Sequence, residues 1–298
     1  MIDLPTHMDF AGYTVRLLVT LDDYLAAEKA QQEIWNLQDS TWIVESSLLL
    51  TAQKNGGLVA GAFDETQRLV GILFGFVGMT REGRFKHCSH LMGIVPAKRR
   101  QNVGRALKLF QRQYVRAQGL DLITWTFDPL EGVNATLNIA RLGAITGIYY
   151  ENLYGFLTDG LNAGLPTDRF EVEWYITSPR VAEFVETDRP LPGSGVLLSD
   201  GAQKINGTWL DAESVLQPVD LQLDADGPTL LLEIPAEHQA IKAASMKTAR
   251  AWREHTRTLF GHYFGRGYVV SDFVSERVGG LRRNYYVLTN NRDDVLGA

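Results

Sequence analysis

The chain has 298 residues, 45% of them hydrophobic and 21% charged, with a formal net charge of −6. That is an ordinary globular composition, long enough for two domains or one large one, and its negative balance excludes a general nucleic-acid binder. A single cysteine excludes a disulfide within the chain, and six histidines beside it form no zinc-ribbon spacing. Residues 1–10 are short, polar and acidic, unlike a signal peptide, and the longest apolar run, 69–79, is too short to cross a bilayer. The expected location is the cytoplasm, with no membrane partner.

In chain order, Tyr13–Val19 reads as a first strand. Thr20 then caps a helix with Asp23 three residues on, in the pattern of a capping box. A second helix is expected over about 44–54, stopped by Asn55-Gly56-Gly57. Residues 58–63 and 69–77 read as an antiparallel hairpin whose second strand is apolar on both faces, hence central and covered twice. Residues 85–95 are the next strand, ended by Pro96, and Val103, Leu107, Phe110 and Tyr114 then mark one face of a helix. After Gly119 come a strand over 121–127, a short helix over 134–142, and strands over 144–150 and 170–177. Beyond the turn cluster 190–195, a strand over 230–234, a long helix with Ala249, Trp252, Thr256, Leu259 and Tyr263 on one face, and a closing hairpin over 268–274 and 284–288 are expected.

The segment between strand and helix at 96–103 stands out. Residues 98–108 hold Lys98, Arg99, Arg100, Arg105 and Lys108 with no acidic side chain. A helix that begins in a cationic loop has free N–H groups and a dipole that favour an anion. The other reading is a surface helix with a solvated basic face.

Pro96-x-x-Arg99-x-x-Asn102-x-Gly104-x-Ala106-Leu107 resembles the acyl-CoA signature of the GNAT acetyltransferase superfamily, an apolar strand, a proline, then Arg/Gln-x-x-Gly-x-Gly/Ala opening a helix. In the register counted from the proline, Asn102 replaces the first glycine. Asn is the non-glycine residue that best tolerates positive φ, which favours this register over one that starts at Gln101. The order of elements over 10–178 is similar to a GNAT domain. Trp125–Leu130, Asn138–Ala144 and Leu165–Trp174 resemble a subfamily of long GNAT proteins. The resemblance implies an α+β fold with a mixed, mostly antiparallel sheet, a GNAT domain over 10–178, and a C-terminal α+β extension over 179–298. That extension is either a structural or dimer-forming appendage or a degenerate GNAT-like half, since a helix, a Gly-Tyr and two strands recur in it. It lacks the acyl-CoA signature.

The activity so implied is acyl transfer from a CoA thioester to an amine, with acetyl-CoA or another acyl-CoA as co-substrate and no metal. The partner is a small-molecule amine, an amino acid being one candidate, and a homodimer is left open. The pyrophosphate would sit on the N–H groups of residues 99–104, helped by Arg99, Arg100 and Arg105, with Gln101, Asn102, Val103, Gly104 and Ala106 completing the cofactor site, and the pantetheine arm beside Gly93, Ile94 and Val95. Relatives carry a tyrosine acid four residues before the glycine that ends the next helix; Ile139 stands there in this chain. Asp128 and Tyr154, with Tyr149 and Tyr150 beside it, are the candidates for proton transfer; a turn partner and a packed tyrosine cluster are their plain alternatives. In the long connection 151–169, Asn162, Asp168 and Arg169 are the candidate acceptor-binding residues. His87 and His90, three apart on a strand, point to opposite faces and do not chelate one ion.

Overall fold

In a computed structural model of the chain, residues 3–36, 42–155, 164–187, 189–190, 192–213 and 215–296 are described. The chain packs as two compact units: residues 1–125 with 175–177, and residues 126–174 with 178–298.

The first unit contains β1 (His7–Phe10), β2 (Tyr13–Leu17), α1 (Leu21–Trp35), α2 (Ser46–Lys54), β3 (Leu58–Phe63), β4 (Leu69–Met79) and β5 (Phe85–Ile94). A 3₁₀ turn (Pro96–Lys98), α3 (Val103–Ala117) and the start of β6 (Leu122–Phe127) complete it. The strands lie in the order β1-β2-β3-β4-β5-β6, antiparallel except for the parallel pair β5 and β6. The expected capping box is present: Thr20 Oγ1 accepts from Asp23 N, and the Asp23 carboxylate accepts from Thr20 N. The second helix starts at Ser46 rather than about 44, because the Gln31 amide bonds both backbone groups of Val44 and holds it out of the helix. β1 appears where a polar tail was expected. Ala11 (φ 52°) and Gly12 (φ 83°) make the two-residue turn that a tight hairpin needs.

β4 is covered on both faces, as its apolar sequence requires. A Cβ on Gly71 would meet Val103 and Leu107 of α3, while one on Gly93, the partner of Ile72, would meet Ile34 and Trp35 of α1. Neighbouring residues on a strand face opposite ways, so α3 and α1 pack on opposite faces of β4 and β5. The β4–β5 register slips between Phe74 and Gly75: Gly75 faces Ser89, Phe74 faces Leu91, and His90 is the extra residue of a bulge. His87 and His90 do fall on opposite faces; His87 is buried and His90 leans on the Phe74 and Phe76 rings.

The second unit begins with α4 (Gly132–Ala135), which runs into a π-turn (Thr136–Arg141). The plain helix expected over 134–142 is thus widened, with Leu142 N reaching Leu137 O. Then follow β7 (Ile145–Tyr150), β8 (Arg169–Tyr175), α5 (Pro179–Glu186), α6 (Ser194–Ser199), β9 (Gln203–Lys204), β10 (Asn206–Leu210), β11 (Leu216–Leu221) and β12 (Thr229–Ile234). The chain continues through α7 (His238–Ala244), α8 (Met246–Gly265), β13 (Val269–Val278), β14 (Leu281–Thr289) and α9 (Arg292–Leu296). Its strands run β8-β7-β13-β14-β12-β9, with β10–β11 a separate hairpin. A helix, a left-handed glycine and a hairpin occur twice, at Gly143 (φ 71°) before β7–β8 and at Gly267 (φ 87°) before β13–β14. The unit is built around Phe170, whose ring meets Phe260 at 4.6 Å and Tyr286 at 5.5 Å between centroids.

Gly75→Ala is expected to destabilise by roughly 1–3 kcal/mol, because its Cβ would run into the His87 ring and the Cys88 carbonyl at the bulge. Gly261→Ala, exposed in α8 with nothing near its Cβ, is expected to stabilise by about 0.5–1 kcal/mol. Urea unfolding of both variants checks the pair.

Candidate functional site

The head of α3 is the anion-binding candidate. Asn102, at φ 65°, is its N-cap in the left-handed conformation, as the register counted from Pro96 requires, and Arg100 (φ 63°) is left-handed too. The Asn102 side chain makes no cap hydrogen bond. Its first intrahelical bond is Ala106 N to Asn102 O, so the N–H groups of Val103 and Gly104 precede the hydrogen-bonded turns of the helix. Arg100, Gln101 and Asn102 are exposed around them, while Val103, Gly104 and Ala106 are buried.

Two of the candidate residues act chiefly as braces. Arg99 donates from Nε to Ile94 O (3.2 Å) and from Nη2 to Ile34 O (2.8 Å), which pins the loop to β5 and α1. Gln101 accepts from Tyr13 OH at 3.1 Å and donates to Ala97 O at 3.0 Å. Lys98 pairs with Asp64 at 3.4 Å. Thr66, as the largest influence on Asp64, holds its carboxyl down to about 2.

β5 keeps its ladder to β4 up to Ile94, yet it meets β6 only at His87↔Ile123 and Cys88↔Thr124. The strands part after that second pair. The stretch past it, including Gly93 and Ile94 of β5 and then Val95, has no ladder partner in β6, and it leads directly to the α3 loop.

In the second unit, Asp128, Arg169, Asp168 and Tyr154 are brought together, but as members of an ion-pair network. Arg253 of α8 grips both Asp128 oxygens, at 2.8 and 2.5 Å, Leu130 N donates at 2.9 Å, and Arg169 stands 3.6 Å away. Burial pushes the Asp128 carboxyl up, and the Arg253 guanidinium outweighs it, so the group stays below its ordinary range. A carboxylate so engaged is a poor proton acceptor. In this structure Asp128 is a buried carboxylate anchored by Arg253. Asp168, fully buried, accepts from Arg257 (2.9 and 2.8 Å), Tyr149 OH (2.6 Å) and Asn152 N (3.0 Å), which leaves it holding the chain rather than a ligand. Arg169 is buried, donates to Asp168 O and lies 5.5 Å over the Tyr154 ring, so it is no exposed clamp. Tyr154 is exposed, its hydroxyl 2.9 Å from Thr126 Oγ1. Asn162 lies outside the described residues.

Arg253 and Arg257 were missed in the sequence. They sit four apart beside Trp252, Thr256 and Phe260, on the buried side of α8, and cations on an apolar helix face were the readable signal. Lys108, one of the five basic residues of 98–108, is buried in α3 rather than exposed with the loop. Gly104, Lys108, Gln111 and Val115, spaced four, three, four, form a second buried row of α3.

The parallel pair of the first unit has an echo in the second. β9 and β12 pair only at Gln203↔Leu230 and Lys204↔Leu231. Beyond them the Asn206 side chain takes both backbone groups of Glu233, donating to its O (2.9 Å) and accepting from its N (2.8 Å). The buried Glu233 carboxylate is in turn held by Lys204, Thr208 and Arg283. That opening is closed by the chain itself. A cavity of about 440 Å³ in the same unit is lined by Leu210, Leu216, Pro235, Ile241 and Leu281, with Arg283 at its wall. Among the described residues no group of three His, Cys, Asp or Glu side chains could hold a metal ion, and no helix is long and apolar enough to cross a membrane.

No protein-family model matches the sequence, and no curated protein matches it. Among solved structures, the chain is similar to Chaetomium thermophilum Naa20, crystallised with a bisubstrate analogue (14% identity, 58% of this chain and 92% of that one, TM-score 0.42). It is similar as well to the ribosomal-protein-S5-alanine acetyltransferase of Vibrio fischeri (15%, 62% and 100%, 0.42). The ribosomal-protein-S18-alanine N-acetyltransferase of Escherichia coli is a third (16%, 55% and 94%, 0.42).

Arg253→Met would leave Asp128 buried and short of its main partner, and is expected to cost about 3–5 kcal/mol in urea unfolding. The sign with pH follows from the lowered carboxyl. The wild-type contribution is present above the unfolded carboxylate pKa, about 3.9, and is lost as pH falls through the lower folded value. The gap between wild type and variant should therefore narrow in acid.

Proposed function

We propose that the protein is a GNAT-type N-acyltransferase that moves an acyl group from acyl-CoA to the amine of a small molecule. Acetyl and succinyl are the candidate acyl groups and an amino acid a candidate acceptor. The observation that carries this reading is the uncapped head of α3 at the end of a strand that has left its neighbour. The N–H groups of Val103 and Gly104 and the positive end of a helix dipole offer an anion site for a pyrophosphate, with Arg100 and Arg105 beside it. The edge of β5 offers main-chain groups to an amide-bearing arm, in the manner of an added strand. Such a binder would hold the thioester where β5 and β6 part. Positioning of the amine would then supply most of the acceleration. Residues 10–178 are the proposed catalytic domain and 179–298 the accessory part, joined to it in packing through Arg253 and Arg257.

A second reading, an acyl-CoA-binding sensor or assembly module without turnover, is favoured by Ile139 at the position of the usual acid and by the engagement of Asp128. Release of free thiol in the presence of amines, against binding alone, separates the two.

Calorimetric titration with acetyl-CoA is expected to show saturable binding to the wild type. Arg100→Ala and Arg105→Ala should each weaken it roughly tenfold, the worth of one charge-assisted hydrogen bond. Failure of the folded wild type to bind would remove both readings.

A further inference from the structure

Lys108 is a buried cation that neither the loop nor the ion-pair network uses. Its side chain rises from α3 and is 1% exposed. Nζ donates to Ser89 Oγ at 3.0 Å and to Gln111 Oε1 at 3.1 Å, and it lies 3.6 Å from the centre of the Trp125 ring. The position is specific. The last β5–β6 pair is Cys88↔Thr124, and Ser89 and Trp125 are the next residue on each strand. The ammonium therefore stands at the vertex where the two strands part.

The groups that face it are uncharged. Ser89 and His87 come from β5, Gln111 from its own helix and Trp125 from β6, and no described carboxylate pairs with it. His87 is fully buried with neither ring nitrogen hydrogen-bonded to a described residue, and burial, then the Lys108 charge, pulls it down to about 3, so it is neutral in ordinary buffers. Burial likewise pushes Lys108 well below the usual lysine range. A buried charge with neutral partners costs stability, and an anion arriving beside it would recover that cost. Buried lysines of this kind are far rarer than exposed ones.

We propose that Lys108 stabilises and protonates the thiolate that leaves when a thioester held at this vertex is aminolysed. This rests on the acyltransferase reading above. In the step, the acceptor nitrogen attacks the thioester carbonyl carbon and a C–N bond forms. The C–S bond breaks and the sulfur takes its electron pair. Lys108 gives one N–H proton to that sulfur, yielding CoA with a free thiol, and the proton shed by the acceptor nitrogen restores the ammonium. The role is the one left open by Ile139, filled from α3 rather than from the helix after β6.

The test compares wild type with Lys108→Met and Lys108→Arg. Methionine is of similar length and carries no charge, so this variant is expected to fold and to melt at or above the wild-type temperature. CoA and acetyl-CoA are first titrated calorimetrically. No binding to wild type would sink the acyltransferase reading, and this assignment with it. Given binding, the ultraviolet thiolate absorbance of bound CoA is followed against pH. The thiol is expected to titrate about one pH unit lower or more on wild type than on Lys108→Met. That readout needs no acceptor, and equal titration on both proteins overturns the assignment while the binding site stands. With acetyl-CoA and excess hydroxylamine as the amine, Lys108→Met is expected to lose roughly a hundredfold in kcat with little change in Kd for acetyl-CoA. The fall in wild-type kcat at high pH, as Lys108 loses its proton, is expected to vanish in Lys108→Arg. Unchanged kcat and pH profile contradict the proposal.

Discussion

Two ladder pairs between β5 and β6 set the character of the first unit. A parallel ladder that stops after Cys88↔Thr124 leaves β5 bonded on one side and open on the other. Such an edge is normally a liability that a protein covers. Here β5 is held in place from elsewhere: by its full ladder to β4, by α1 and α3 on opposite faces, and by the close approach of Gly75 to the His87 ring. The bulge at His90 turns the strand at the same point. The edge leads into a loop that Arg99 pins to β5 and α1, and the helix beyond begins without a cap from its N-cap side chain. α2, α4, α6 and α7 also begin without a cap from their N-cap side chain, but of these helices α3 is the one whose N-cap, Asn102, is left-handed. A non-glycine residue held at positive φ costs backbone strain that the surrounding structure must offset.

The second unit shows what the same arrangement looks like when it is closed. β9 and β12 part after two pairs as well, and Asn206 then supplies with its side chain the bonds a third pair would have made. No cationic loop follows; the chain turns into the β10–β11 hairpin. α8, in turn, contributes Arg253 and Arg257 to carboxylates that follow β6 and precede β8 in sequence. The C-terminal residues are therefore part of the packing of 126–174, and a truncation at 178 would strand two buried carboxylates.

Much of this was legible in the sequence. Strands and helices with a clean period were read to within a few residues, because β4, α3 and α8 bury one face or two against a single core. Asn102 was legible for a local reason: few residues take positive φ, and the register demanded one that does. What was not legible depended on partners distant in the chain. Asp128 reads as a free acid after a strand until Arg253, 125 positions away, is seen to hold it. Lys108 counts as one more charge of a basic loop until the helix turns it inward between Gly104 and Gln111. The β10–β11 hairpin and the short helices α5, α6 and α7 have too few residues for a period to show. The turn at Ala11-Gly12 lacks the asparagine that usually announces it.

Hydrogen–deuterium exchange of the whole chain, with and without saturating CoA, tests most directly the claim that the open edge of β5 and the head of α3 form one binding site. Slowed exchange over 93–95 and 102–106, with 203–210 and 229–234 unchanged, is the predicted result. Unchanged exchange at the head of α3 with CoA demonstrably bound, or protection confined to the cavity beside Ile241, would contradict it.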